Sequence, residues 1–212
     1  MSVLKLLADG FHEGGWGMWP IFFLSIFAVG VIIERVVYLR RSTIDKDKLL
    51  QLLKQQVMAG NIQGAIKLCS GNSTPLTRIV QAGLMKTNRS NEEIEAAMEE
   101  ASLRELPQIE KRTGYLAMIG NLATLAGLLG TITGLIKSFA GVAGVDPSQK
   151  ATMLAKGISE AMNCTAFGLG TGITAILFFA VLNGKTQAII DDINEVKAQV
   201  ANLLAATKGG HP

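Results

Sequence analysis

Glu160 stands at the head of a glycine-studded apolar run, Ala161–Leu182, that is long enough to cross a membrane. An ionised side chain at the centre of a spanning helix costs roughly 2.5–3.5 kcal/mol on insertion scales, and a chain that carries one usually uses it on an ion path. The hydroxyls Thr165, Thr171 and Thr174 on the same run, and Thr131 on the preceding apolar run, point to the same chemistry.

The depth of these groups follows from counting. The second apolar run climbs to Ile136 and the third descends from Ala161, so Thr131 lies five residues and Thr165 four residues from the same side of the bilayer. At about 1.5 Å rise per residue both hydroxyls sit about 6–8 Å into the apolar layer. Two hydroxyls at matching depth on antiparallel helices form one polar ring if several subunits surround a pore. Alternatively, each bonds a carbonyl of its own helix. Spacing leaves both readings open. Glu160 also has two readings: a group on the ion path, or a carboxylate neutralised by Lys156 one turn away. At 100° per residue, positions 160 and 165 differ by about 140° around the helix, so Glu160 shares its side more closely with Cys164 and Thr171.

Small residues fall at helical spacing on both runs: Ala123, Gly127, Gly130 with Thr131, and Gly134 on one; Gly157, Ala161, Cys164, Gly168, Gly172 and Ala175 on the other. Such stripes let backbones approach closely, which is how helices associate in lipid. Gly127, Gly130, Gly134, Gly168 and Gly172 are therefore expected to pack helix against helix.

The elements that position these groups are three spans. Of 212 residues, 49% are apolar and only 17% charged, against about 25% charged in an average soluble domain. Three runs reach the roughly 20 residues that a bilayer demands: Trp16–Val37, whose apolar part ends near Ile33, Tyr115–Ile136, and Ala161–Leu182. The first is too long for a signal-peptide core and no small-residue cleavage site follows it, so it reads as a retained helix. Trp16 and Trp19 at its start fit an interfacial aromatic belt. The segment Arg35–Arg112 holds 13 of the 20 Lys and Arg residues, with Arg35, Arg40 and Arg41 against the end of the first span. The positive-inside rule places that segment in the cytoplasm, although the opposite loop carries Lys137, Lys150 and Lys156 against a single Asp146. The expected order is an outer segment 1–15, a span 16–37, a cytoplasmic helical region 38–114, and a second span 115–136. An outer loop with the start of the third helix follows at 137–156, then the third span 157–183 and a cytoplasmic helix and tail 184–212. The fold class is an all-α membrane protein, N-terminus outside and C-terminus inside, with long cytoplasmic helical extensions.

Periodicity divides the cytoplasmic region. Asp45–Met58 carries Leu49, Leu52, Leu53 and Val57 on one face, and Ile62–Cys69 carries Ile62, Ala65, Ile66 and Cys69. Leu76–Lys86 is a further amphipathic helix. Ser90 with Glu93 spells a capping box, opening a helix whose acidic face is solvated. Pro107 should kink that helix rather than end it. Val142–Lys150 reads as a short turn, and Lys185–Ala206 as an amphipathic extension carrying Ile189, Ile190, Ile193, Val196, Val200, Leu203 and Leu204.

Other classes fare poorly. His12 and His211 are solitary and terminal, and Cys69 and Cys164 offer neither a disulfide framework nor metal spacing. No nucleophile–base arrangement stands out, so no enzyme activity, cofactor or metal is expected. The cations lie beside spans and among carboxylates, which argues against nucleic acid. Three spans are too few for a transporter built from inverted repeats, and a chain of this kind that moves ions does so as an oligomer.

The strings Gly127-Leu-Leu-Gly-Thr-Ile-Thr-Gly-Leu-Ile-Lys-Ser-Phe139 and Leu154-Ala-Lys-Gly-Ile-Ser-Glu-Ala-Met-Asn-Cys-Thr-Ala-Phe-Gly-Leu169 resemble the MotA/TolQ/ExbB proton-channel family, on its ExbB/TolQ side. Gly14-Gly-Trp-Gly-Met-Trp-Pro20 and Ile33-Glu-Arg35 fit as well, so the resemblance covers nearly the whole chain. It implies a homo-pentamer in the bacterial inner membrane, its pore holding the helices of a single-span ExbD/TolR-like partner in two copies. The partner's membrane aspartate would carry the proton. Family pore threonines match Thr131 and Thr165, and the family's span-three glutamate matches Glu160. Proton flow would drive rotation of ring against partner, and so work on a TonB-like protein, the Tol–Pal system or a gliding motor. Two departures stand out: Cys164-Thr165 replaces a frequent Thr-Thr pair, and Gly172-Ile-Thr174 replaces an Ala-Ile-Pro, removing an expected kink. The competing function is a non-conducting scaffold that anchors envelope proteins.

Overall fold

The computed structural model describes residues 15–209. His12, His211 and nearly all of the expected outer segment 1–15 lie outside the described residues. The described residues are helical and contain no strand. The helices are α1 (Met18–Ser42), α2 (Lys46–Met58), α3 (Ile62–Gly71), α4 (Pro75–Leu84), α5 (Asn91–Glu110), α6 (Thr113–Val142) and α7 (Pro147–Gly209). Two compact units divide the chain, one of residues up to Glu34 with Arg112–Val181, the other of Arg35–Lys111 with the chain from Leu182 onward.

The first unit holds the apolar parts of α1, α6 and α7. Three helical stretches are long and apolar enough to cross a membrane, and only 22–28% of each apolar window is buried within the chain. Phe23, Phe27, Leu128, Ile173 and Leu177 are more than half exposed. Water would not tolerate so much continuous apolar surface; this is a membrane protein. Besides Met18, Ile21, Leu116 and Ile119, the unit buries small residues such as Ala28, Ala123, Ala161 and Ala175, because helix association in lipid relies on close backbone approach. The buried positions of α6, Thr113, Leu116, Ile119, Gly120, Ala123, Gly127 and Gly130, fall on one stripe at the helical period.

The second unit is packed like a soluble domain, and its short helices begin at identifiable caps. Asp45 accepts from the Lys48 N–H, Asn61 from the Gly64 N–H and Ser90 from the Glu93 N–H. The reciprocated capping box is at Thr74 and Thr77, ahead of Pro75 at the first turn of α4. At Ser90 only the half in which the Ser side chain caps the helix is formed. Gly60, at φ +71°, makes the left-handed turn between α2 and α3. Leu53, Ile79, Leu84, Ile94, Met98 and Ile193 fill the core. Ile190, Ile193, Val196, Val200 and Leu204 bury one face of α7, while the acidic residues Glu92, Glu93, Glu95, Glu99 and Glu100 of α5 are exposed. Lys46 bonds Asp192 and Glu195, each at 2.7 Å, and both carboxylates push its pKa upward. Lys197 reaches Glu99 at 2.5 Å.

One sequence expectation needs correction. Leu52 is not on the buried face of α2: Leu49, Leu50, Leu53 and Val57 are buried, and Leu52 is 37% exposed. At 100° per residue, Leu52 stands about 115° from the centre of that stripe, whereas Leu50 lies within about 45°. Pro107 lies inside α5, as expected, and the helix stops three residues later at Glu110, ahead of Arg112, which is left-handed at φ +67°. Between α6, which continues to Val142, and α7, which starts at Pro147, a residue preset for the first helical position, the turn is four residues long.

Arg35 is 2% exposed and is not part of a charged surface. Its guanidinium donates to the Ile109 carbonyl at 2.9 Å and to the Gln108 carbonyl at 3.4 Å, and lies 4.8 Å over the Tyr38 ring. Those carbonyls end α5 and lack helical partners, so a cation there satisfies both the bonds and the helix dipole.

Candidate functional site

The site is built where α6 and α7 touch. A Cβ on Gly127 would lie 3.1 Å from the Cys164 carbonyl oxygen, and one on Gly168 would lie 2.7 Å from the Ala123 carbonyl oxygen. On either side, Gly134 faces Ala161 at 3.0 Å, Gly130 faces the Cys164 Sγ at 2.8 Å and Gly172 faces the Gly120 carbonyl at 2.9 Å, all measured from the same hypothetical Cβ. At Gly127 and Gly168 backbone meets backbone, while Gly130 and Gly134 receive small side chains of α7.

That closeness brings Thr131 and Thr165 together. Their hydroxyl oxygens are in direct contact. Thr131 Oγ1 lies 3.1 Å from the Gly127 carbonyl on its own helix and 3.3 Å from the Ala161 carbonyl on α7. Thr165 Oγ1 lies 3.2 Å from that same Gly127 carbonyl, across the interface. Each hydroxyl thus reaches the carbonyl four residues before the other threonine. A hydroxyl has one proton to donate and two lone pairs, so two hydroxyls among two carbonyls retain spare acceptor capacity. Both side chains are only partly buried, which leaves that capacity reachable. Within the chain, Thr131 bonds its own helix, Thr165 bonds the neighbouring one, and the two hydroxyls form an interhelical pair.

Glu160 does not join the pair. Its carboxylate lies against Gly15, where any Cβ would overlap Oε1 and come within 2.9 Å of Cδ. Among the described residues it forms no ion pair with Lys156 or any other cation. Thr171 and Thr174 face elsewhere as well, lining a groove of about 680 Å³ with Met18, Ser25 and Ala28 of α1. Thr174 donates to the Gly170 carbonyl at 2.8 Å. Cys164 is 2% exposed and packs its sulfur between Gly130 and Gly17. Among the described residues no three His, Cys, Asp or Glu side chains gather as metal ligands would.

Sequence reasoning missed Gly120, which continues the α6 stripe by one turn, and the contacts of Gly15 and Gly17. The helical spacing from Gly120 through Ala123 to Gly127 carried the first signal. The second had only the run Gly14-Gly-Trp-Gly17, which reads equally well as a flexible leader.

Residues 72–195 match the MotA/TolQ/ExbB proton channel family. A Synechocystis sp. protein described as ExbB-like 1, of the biopolymer transport type, is 33% identical over 178 residues, covering 83% of this chain and 70% of that one. The Tol–Pal system protein TolQ of Pseudomonas aeruginosa is 34% identical over 99 residues, 47% of this chain and 42% of that protein. The biopolymer transport protein ExbB of Salmonella typhimurium is 36% identical over 90 residues, 42% of this chain and 36% of its own. The matched segment contains the glycine-lined stretches of α6 and α7 and both paired hydroxyls, and on that match the chain belongs to the MotA/TolQ/ExbB proton channel family.

Proposed function

We propose that this chain is the ring subunit of a proton-driven motor in the inner membrane. Five copies surround a pore that holds two single-span, ExbD/TolR-like partner helices. The arginine- and lysine-rich region lies in the cytoplasm, and the turn between α6 and α7 in the periplasm. The observation that carries the reading is the Thr131–Thr165 hydroxyl pair at the glycine-lined contact. A partner carboxylate crossing the membrane must alternate between charged and neutral forms; a hydroxyl that turns its proton from a carbonyl to the carboxylate lowers the cost of the charged form, and its lone pairs accept from the neutral one. Thr131 and Thr165 would line that path, with Glu160 adding a charge near its outer end. The work delivered would go to TonB-type import, to Tol–Pal or to gliding.

The test is native mass spectrometry of the complex purified from its own membranes, followed by proton flux in proteoliposomes. Five copies with two single-span, Asp-bearing chains, and a flux that Thr165→Val abolishes, support the motor. A homo-oligomer without such a partner and without flux leaves a non-conducting scaffold.

A further inference from the structure

We infer that the Gly15-Trp-Gly17 turn is a built seat that positions the Glu160 carboxylate, making Gly15 and Gly17 positioning residues of the site. Three observations converge. Gly15 is left-handed at φ +63°, and the space its side chain would occupy is taken by the Glu160 carboxylate. Gly17 brings the start of α1 onto both other helices, since its Cβ would lie 2.9 Å from Cys164 Sγ and 3.2 Å from Gly130 Cα. Gly130 and Cys164 are the residues immediately before Thr131 and Thr165, so the turn braces the hydroxyl pair from behind. Trp16, between the glycines, holds the turn down, with the Lys137 ammonium 5.3 Å from its ring centroid.

Glu160 has a long, rotatable arm, and a helix by itself restricts its χ1 but does not select where the carboxylate comes to rest. The seat does. It accepts the carboxylate on the α1 side and leaves no room for a competing methyl. The carboxylate is held about 140° around α7 from Thr165, where it can approach the hydroxyls only by leaving Gly15. The functional weight of the seat rests on the proton-path reading of Glu160; the seating itself does not.

The experiment is carbodiimide labelling of Glu160 in the full-length complex in lipid nanodiscs, read by peptide mass spectrometry against Asp146 as an exposed reference. Gly15→Ala displaces the carboxylate and raises the Glu160 labelling rate several-fold at constant Asp146 labelling. A Glu160 rate that is unchanged or lower overturns the proposal. Glu160→Asp shortens the arm and clears the added methyl. Gly15→Ala therefore assembles in that background even where the single variant does not, and leaves labelling of the shortened carboxylate unchanged. Failure of the double variant to assemble would assign the defect to the left-handed backbone alone and sink the seat. Proton flux measured on the same preparations separates the two claims: a wild-type complex without flux removes the proton path, while the labelling still decides the seat.

Discussion

Thr131 and Thr165 touch hydroxyl to hydroxyl across the contact of α6 with α7, and each reaches the carbonyl that precedes the other by one turn. The arrangement depends on backbone proximity. Any side chain larger than hydrogen at Gly127 or Gly168 would separate the helices and pull the hydroxyls apart. The same contact therefore serves packing and polarity together.

Replacing Thr165 with Val keeps the shape and removes the hydroxyl. The net worth of one such bond is about 1 kcal/mol, so the ring should still assemble. Proton-driven flux should fall to background in proteoliposomes. Flux at the wild-type level in an assembled Val variant would remove Thr165 from the path.

Gly168→Ala should destabilise the chain by about 1–3 kcal/mol, because the new methyl meets the Ala123 carbonyl at 2.7 Å and backbone cannot yield as a side chain can. Gly184 lies in the same helix with nothing within 4 Å of the hypothetical methyl. There the same change should be neutral or stabilise by up to about 1 kcal/mol through helix propensity. Thermal unfolding of the two variants side by side checks the contrast, which generic intolerance of α7 to substitution would not produce.

Arg35→Ala strands the buried Ile109 carbonyl and the part-buried Gln108 carbonyl and removes a side chain packed on Tyr38. A buried acceptor left without a donor costs about 1–3 kcal/mol. The loss should appear as a lower unfolding midpoint with early release of the buried Cys69 thiol to a reactive dye. Arg35→Lys should recover only part of it, since a single ammonium cannot reproduce the planar fork. A midpoint equal to the wild type would show that α5 ends well enough without the guanidinium.

Burial pushes the Cys69 thiol from 9.0 to about 11. Between those values the unfolded chain has lost the proton that the folded chain retains, so stability is full below about pH 9 and declines as pH rises toward 11. The decline attributable to this group is on the order of 1–3 kcal/mol. Cys69→Ala should flatten the alkaline limb of a stability–pH curve, at the cost of a lower plateau from the small cavity. An alkaline limb of unchanged slope would assign the loss to other groups.

Much of the molecule is legible along the chain. Length and hydropathy mark the three apolar stretches, and a period of 3.6 places Gly127, Gly130 and Gly134 on one face and Gly168 and Gly172 on another. The equal depth of Thr131 and Thr165 follows from counting residues at a fixed rise. These are local properties, and each survives whatever the chain packs against. Periodicity alone cannot choose the centre of a stripe when leucines crowd both flanks, as with Leu50 and Leu52. Nor can it say that α5 stops at Glu110, because Arg35, more than seventy residues earlier, supplies donors to the last carbonyls of α5. The joining of the two hydroxyls and the resting of Glu160 on Gly15 are likewise decided by tertiary structure. Each joins residues far apart in sequence, whose meeting depends on how closely whole helices approach.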